Sequence, residues 1–510
     1  MRIDWTKEPE PRFAARPSRS SLQLLLLTVL LIIGAIACAS APAAGPLDRL
    51  HPCSSSEGPI DAYCGTLSVF ENRDTKQGRQ IGLFITLLPA VRHESPDPLV
   101  FLAGGPGQGA AQLARQIRDV FRRVERTRDI VLVDQRGTGK SHPLNCSTVS
   151  NTLADATESD DVALARLESC LKGYDADVRF YTTNIAMDDL DDVREYLGYK
   201  TFNLYGGSYG TRAALVYLRR HKEHVRSMVL DGVAPTDMRL PLFTSRDAQR
   251  ALDKMLSDCE ASPSCEHAFP GLRLRVRSLL ARLEKNPPRV RVVHPRTGVA
   301  EEVTIEARIV ASILFTSLYS PLTASIVPSL IDDAEHNDFQ ALFALGLSDG
   351  GDDDNMSLGM RFSVLCTEDA GRVTPGDVER ETINTVFGSH LLGPQIAACE
   401  RWPKGTVEPT FYDPVVSDVP ALVLSGDIDP VTPPTWGEAV VKHLSRGRHI
   451  VMPATGHGVI GTACGLKLIE TFIERASSAD LDTSCVAEVH RPPFFVTPAG
   501  PEPSRVWGKK

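Results

Sequence analysis

The chain predicts an α/β fold with a mostly parallel central sheet interrupted by a large, mainly helical segment. Three observations predict it. Short apolar runs at 81–88, 99–102, 130–133, 202–205, 225–230, 421–425 and 450–452 have strand length. Helical stretches such as 112–125 and 185–197 separate several of them, which indicates parallel strands with both sheet faces covered. Between Asp231 and about Lys404 that alternation stops and helical patterns take over, at 244–256, 272–283 and 307–317, with one hairpin-like stretch at 289–305. The sheet resumes near Tyr412. About 470 of the 510 residues remain after an N-terminal leader, too many for one core, so a core with a large insertion is expected. The resulting division is 1–38 leader, 39–235 first part of the core, 236–405 insertion, 406–490 second part of the core, and 491–510 tail.

The leader indicates export. Residues 24–37 are uncharged and apolar and follow Arg12, Arg16 and Arg19, which matches the core of a signal peptide and is short for a membrane span. Ala35-Ile36-Ala37-Cys38 resembles a bacterial lipoprotein box, with Ala35 where leucine is preferred. Cys38 is therefore a candidate for lipid attachment to a membrane; the competing reading is an ordinary signal peptide cleaved after Ala39 or Ala43. The expected location is outside a bacterial cytoplasm, whether periplasmic, envelope-anchored or secreted. Setting Cys38 aside leaves ten of eleven cysteines, an even set suited to an oxidising compartment. Neighbours in sequence suggest Cys53 with Cys64, Cys146 with Cys170, Cys259 with Cys265, Cys366 with Cys399 and Cys464 with Cys485, although spacing alone does not fix connectivity. The net charge of −9 becomes −11 without the leader's surplus of two positive charges. With no basic patch, nucleic acid is excluded as a partner.

Ser208 lies in Gly206-Gly207-Ser208-Tyr209-Gly210, between the apolar run 202–205 and a helix-like run at 211–220. A serine on a sharp strand-to-helix turn needs neighbours without bulk, and Gly206 and Gly210 supply that room. A serine hydroxyl is a weak nucleophile at neutral pH, so it requires a base and an orienting acid. In the strand-turn-helix arrangement the chain order is serine, acid, histidine. Of His443, His449, His457 and His490, only His457 stands on a loop just past an apolar run, in Gly456-His457-Gly458. The acid is expected one strand earlier, in Gly426-Asp427-Ile428-Asp429-Pro430. Asp429 is favoured because it precedes the Pro-marked turn, whereas Asp427 is placed to bond its own turn.

The run 99–102 ends in Ala103-Gly104-Gly105-Pro106-Gly107, where backbone N–H groups can approach a developing oxyanion. Pro106 has no N–H, so Gly105 and Tyr209 are the expected donors. Gly105, Gly107 and Ala110 also fit GxGxxA, but Pro106 stiffens the loop and no acidic strand end follows about twenty residues on, which argues against dinucleotide binding. Asp134-Gln135-Arg136-Gly137-Thr138-Gly139-Lys140-Ser141 lacks the first glycine of a phosphate loop. The acidic run 349–355 lacks EF-hand spacing and its terminal Glu. No metal and no cofactor is called for.

Gly104-Gly105-Pro106-Gly107, Asp134-Gln135-Arg136-Gly137-Thr138-Gly139, the Ser208 pentapeptide, Asp429-Pro430-Val431-Thr432-Pro433 and Gly456-His457-Gly458 together resemble the prolyl and tripeptidyl aminopeptidases, secreted serine exopeptidases of the α/β-hydrolase superfamily. The resemblance runs from about residue 60 to about 490. It implies an α/β-hydrolase fold and cleavage of short peptides from a free amino end, with Ser208, Asp429 and His457 as the catalytic set. Proline iminopeptidases usually carry histidine where this chain has Ala103, so peptidase chemistry is better supported than prolyl specificity. The insertion then reads as a cap placed after the sixth strand and closing over Ser208. A buried substrate ammonium requires a carboxylate, and position together with the family likeness nominates Glu368, with Asp369 as the alternative. Two other readings stay open: an esterase or amidase with the same triad, and a ligand-binding protein with a vestigial site.

Overall fold

The computed structural model describes residues 45–55, 58–146, 153, 157–348, 356–497 and 500–501. The leader with Cys38, the acidic run at 349–355 and the tail beyond residue 501 lie outside them. Nine strands form one sheet: β1 (His51–Ser55), β2 (Gly58–Phe70), β3 (Gln80–Leu88), β4 (Leu99–Leu102), β5 (Ile130–Val133), β6 (Phe202–Gly207), β7 (Val225–Asp231), β10 (Ala421–Gly426) and β11 (Gly447–Met452). Their order is β1-β2-β3-β5-β4-β6-β7-β10-β11. The six strands from β5 to β11 pair in parallel, and β1, β2 and β3 add an antiparallel edge. The strands β8 (Arg289–Val293) and β9 (Ala300–Thr304) form a separate antiparallel hairpin within the insertion, as the hairpin-like stretch predicts.

Between β4 and β5 runs α1 (Ala114–Val120); α2 (Thr183–Leu197) precedes β6 and α3 (Tyr209–Arg220) follows it. The insertion contains α4 (Thr244–Ala261), α5 (Leu272–Lys285), α6 (Ala307–Ser317) and α7 (Leu358–Val364), and α8 (Ala463–Arg475) follows β11. Alternation along each strand divides the side chains between two cores. On β10, Ala421 and Val423 face the core lined by α2 and α3, while Leu422 and Leu424 face the one lined by α1 and α8. The insertion has its own core, built from residues such as Leu252, Met255, Leu279, Val310 and Leu314. From Pro46 on the chain forms one unit, so the inserted helices pack onto the sheet and do not hang beside it.

Two expectations change. The insertion follows the seventh strand and not the sixth: five apolar runs precede it in the sequence, and β1 and β2 add two strands without a continuous apolar run, in which outward positions are polar and only residues such as Ala62 and Cys64 are buried. The helix expected over 112–125 breaks at Phe121 (φ −94°, ψ 29°), which is wholly buried and meets Tyr205 edge-on at 5.5 Å. All five expected disulfides are formed: Cys53–Cys64, Cys146–Cys170, Cys259–Cys265, Cys366–Cys399 and Cys464–Cys485. No helix of the described residues is long and apolar enough to cross a membrane.

Candidate active site

Ser208 stands where β6 turns into α3, with φ 55° and ψ −124°. A side-chain-bearing residue rarely adopts positive φ, and such strain persists only where the surroundings enforce it. Here they do. A Cβ at Gly206 would lie 2.3 Å from the Gly210 carbonyl oxygen, and one at Gly210 would lie 2.1 Å from that of Leu102, so the turn closes only with glycine at both places. The Ser208 N–H donates to the Asp231 carbonyl at 2.9 Å, and its own carbonyl accepts from Thr211 Oγ1 at 2.6 Å.

His457 and Asp429 meet. The His457 Nδ1 lies 2.8 Å from Asp429 Oδ2, and Asp429 is fully buried. The carboxylate is held from both sides: Oδ1 accepts from the backbone N–H groups of Val431 and Thr432, each at 2.8 Å, and Oδ2 accepts from Thr432 Oγ1 at 2.8 Å. Thr432 Oγ1 also lies 3.2 Å from His457 Nδ1. Burial opposes ionisation of Asp429, but the His457 charge and these donors outweigh it and hold the carboxyl below its ordinary value. Burial likewise opposes the imidazolium, but Asp429 outweighs it and the His457 pKa rises above its ordinary value. Asp427 is the unused neighbour: its Oδ1 accepts from the Thr455 N–H at 3.3 Å.

Ser208 and His457 converge on the end of β7. While Ser208 bonds the Asp231 carbonyl, a Cβ at Gly232 would lie 3.3 Å from His457 Cε1. The Asp231 side chain, buried at that strand end, accepts from Val459 N–H at 2.8 Å, Ile460 N–H at 2.9 Å and the Tyr205 hydroxyl at 2.8 Å. One residue thus ties the serine turn to the loop just past the histidine. No hydrogen bond joins Ser208 Oγ to His457 in this structure; such bonds are often loose without substrate and tighten on binding.

The glycine loop lies against the serine. A Cβ at Gly104 would be 3.3 Å from Ser208 Cβ, and Gly105 takes φ +109°, which side chains rarely adopt. The N–H groups of Gly105 and Tyr209 have no acceptor among the described residues, as an oxyanion site requires. The Asp134–Gly139 motif is scaffold. Asp134 accepts from Ala111 N–H and Lys140 N–H, each at 2.8 Å, and the wholly buried Arg136 grips Asp189 through Nε (2.6 Å) and Nη2 (2.9 Å).

Glu368 and Asp369 lie in a π-helical turn (Leu365–Asp369) that continues α7, and neither stands open to solvent. Asp369 is bound by Arg212 at 2.7 Å and Arg372 at 3.1 Å. Glu368 accepts from Thr183 N–H at 2.6 Å and Thr183 Oγ1 at 2.9 Å, and Thr183 Oγ1 in turn meets the Tyr209 hydroxyl at 2.8 Å. Burial, only partly offset by Arg212, pushes the Glu368 carboxyl up to about 7. Thr183 and Arg212 come from α2 and α3, far away in sequence, so spacing could not reveal these partners.

Sequence reasoning also missed the residues by which the insertion holds these loops. Arg250 on α4 donates to the carbonyls of Asp427 (2.9 Å) and Asp429 (3.0 Å). The Tyr319 carbonyl accepts from the His457 N–H at 2.8 Å, and the Tyr319 ring meets the imidazole edge-on at 5.1 Å. Only Asp231 carried a usable signal, as an acid at the end of an apolar run. Among the described residues, Asp191, His221 and His224 are close enough to share a metal ion. Asp191 is already bonded to Arg194 and the Tyr217 hydroxyl, and the cluster sits at the far end of α3, about 18 Å along the helix from Ser208.

Comparison with known proteins agrees with this architecture. Residues 97–303 match the model described as alpha/beta hydrolase fold, and residues 384–485 match that of TAP-like protein. The proline iminopeptidase of Neisseria gonorrhoeae is 35% identical over 143 residues, 27% of this chain and 34% of that protein. The tripeptidyl aminopeptidase of Streptomyces lividans is 29% identical over 216 residues, 39% of this chain and 40% of that protein. The chain thus matches between about a third and two fifths of the length of these relatives. Among solved structures, a proline iminopeptidase of Mycobacterium smegmatis aligns with 81% of this chain and 98% of its own at 14% identity and a TM-score of 0.35. A sheet parallel over six strands, a serine on the turn after β6 and the two family matches lead to one statement: the chain has the α/β-hydrolase fold, with a TAP-like C-terminal region.

Proposed function

We propose that this protein is a serine exopeptidase that releases a residue or short peptide from the free amino end of its substrate. The buried 2.8 Å contact between Asp429 and His457, on loops sharing the β7 end with Ser208, carries the reading. Ser208 Oγ attacks the scissile carbonyl while His457 takes its proton, and Asp429 fixes the ring tautomer and stabilises the imidazolium. The Gly105 and Tyr209 N–H groups stabilise the oxyanion; losing one such donor typically costs on the order of a hundredfold in rate. His457 then protonates the leaving amine, and water, deprotonated by the same ring, releases the acyl group from Ser208.

The inserted helices close the site and restrict cleavage to a chain end. Glu368 is the better candidate for receiving the substrate ammonium: Asp369 is paired with two arginines at 2.7 and 3.1 Å, whereas Glu368 has Arg212 only at 3.6 Å, and burial raises its pKa to about 7, so an arriving cation would stabilise its carboxylate. The burial of both acids is also what favours the second reading, an esterase or amidase acting on a small molecule. Turnover of a free-amine peptide substrate, its acetylated form and a short-chain ester separates the two. The exopeptidase cleaves the first far faster than the second, and an esterase prefers the third. Fluorophosphonate labelling of Ser208 tests the chemistry itself, and a protein with a vestigial site stays unlabelled. We further propose an exported protein held at the envelope through Cys38. The five disulfides support an oxidising compartment, and the mass of the mature N-terminal peptide tests the lipid.

A further inference from the structure

We propose that Arg361 is a carboxylate anchor in the substrate site, so that the preferred substrates are short peptides carrying a carboxylate. The inference rests on the exopeptidase reading and adds a substrate class to it.

The placement of Arg361 follows from the oxyanion loop. Ser357 N–H donates to the Gly107 carbonyl at 2.9 Å, and Met356 pairs with Gln108 in a β-bridge. A Cβ at Gly105 would lie 2.9 Å from Met356 Sδ, and one at Gly107 would lie 2.5 Å from the Ser357 carbonyl oxygen. Thus α7 starts in direct contact with the oxyanion loop, and Arg361 lies one turn along it, its N–H on the Ser357 carbonyl at 3.0 Å. On the opposite side of the site stands Tyr319, which carries the His457 loop on its carbonyl and the imidazole against its ring. Burial and the Asp429 charge raise the Tyr319 hydroxyl pKa, and the Arg361 charge opposes them.

What makes this arginine unusual is its lack of a counterion. Arg136 and Arg212, both fully buried, each grip a buried carboxylate, Asp189 and Asp369 respectively. Arg361 makes a single side-chain hydrogen bond, from Nη2 to the neutral Gln395 Oε1 at 2.9 Å, and no ion pair among the described residues. Gln395 is itself anchored, its amide donating to the Leu391 carbonyl at 2.8 Å. Arg361 is only half-buried, so its remaining N–H donors can be reached. Desolvation disfavours its charge and no carboxylate among the described residues offsets this. A guanidinium offers five donors in a planar fork that matches a carboxylate, so a substrate carboxylate supplies the missing partner. That group is either the peptide's own C-terminus or an acidic side chain.

Two matched substrate pairs separate the sources: a short free-amine peptide as free acid against C-terminal amide, and the same peptide with Glu against Gln. The wild type is expected to favour the carboxylate member of one pair by about 10- to 100-fold in kcat/KM, the range of a charge-assisted hydrogen bond. Arg361→Gln is expected to abolish that preference by lowering kcat/KM on the carboxylate member, and Arg361→Lys, which keeps the charge without the fork, to retain part of it. Calorimetric binding of the same pairs to Ser208→Ala reads the preference without turnover, so it stands or falls separately from the peptidase chemistry. An absent preference in both pairs, or one that survives in Arg361→Gln, overturns the proposal.

Discussion

Ser208, Asp429 and His457 stand on loops that follow β6, β10 and β11, whereas Arg250, Tyr319 and Met356 reach the same region from the inserted helices. The two regions contribute differently. The sheet provides the proposed reacting groups, each next to a strand end with apolar residues. Arg250, Tyr319 and Met356 contribute a guanidinium, a carbonyl and a thioether that bear on the backbone of the site loops. A strand-end loop is free to vary its side chain because the sheet fixes its origin. Holding two such loops within a few tenths of an ångström requires contacts from outside the sheet, and misplacement by 1 Å can cost about a hundredfold in rate.

Cutting the sheet's contribution is expected to have the largest effect. Ser208→Ala should abolish fluorophosphonate labelling, and Asp429→Asn should lower kcat by about 10⁴-fold with the fold intact, because the ring tautomer is lost. Circular dichroism with steady-state kinetics checks both.

The tie between the two loops comes next. Asp231→Asn replaces an acceptor of three hydrogen bonds by an amide whose NH2 opposes the N–H of either Val459 or Ile460. It should cost about 1–3 kcal/mol of stability, read by denaturant unfolding, together with a drop in kcat smaller than that of Asp429→Asn. If the two variants lose kcat equally with stability unchanged, Asp231 belongs with the reacting groups and not with the frame.

Arg250→Met tests the insertion alone. Its hydrogen bonds go to the carbonyls of Asp427 and Asp429, so kcat should fall by about tenfold, near the worth of a charged hydrogen bond, with a smaller change in KM. A variant of normal kcat would mean that the sheet holds the acid loop unaided.

The mildest test is titration. His457 acts as base only when neutral, and its raised pKa means that kcat/KM falls as pH drops through a value above 6.5. Glu368, held at about 7, must lose its proton to receive an ammonium, so its limb has the same sign. Glu368→Gln should lower kcat/KM on free-amine peptides while leaving a single His457 limb on an ester. An unchanged profile on peptides removes Glu368 from substrate binding.

Much of the site was legible because its signals are local. Gly206 and Gly210 announce a turn without room for side chains, and Pro430 and Pro433 mark the loop after Asp429. The five cysteine pairs followed from sequence proximity, since short loops bring their ends together most easily. Glu368 and Asp369 illustrate the reverse. Their position at the end of an apolar run suggested open carboxylates, yet Arg212, about 160 residues earlier in the chain, occupies one of them and Thr183 the other. Likewise β1 and β2 were invisible because an edge strand with a polar face lacks the apolar run that marks a central one.

Apolar periodicity and turn chemistry therefore mark the central strands, the serine turn, and Asp429 and His457 as candidates, since each depends on residues within a few positions of one another. The ionisation of Asp429 and His457, the enclosure of Glu368 and the lack of an ion pair for Arg361 among the described residues were decided by packing. These properties depend on burial and on partners brought together from distant segments, and the energy of a charge is set by its surroundings in space, not by its neighbours along the chain.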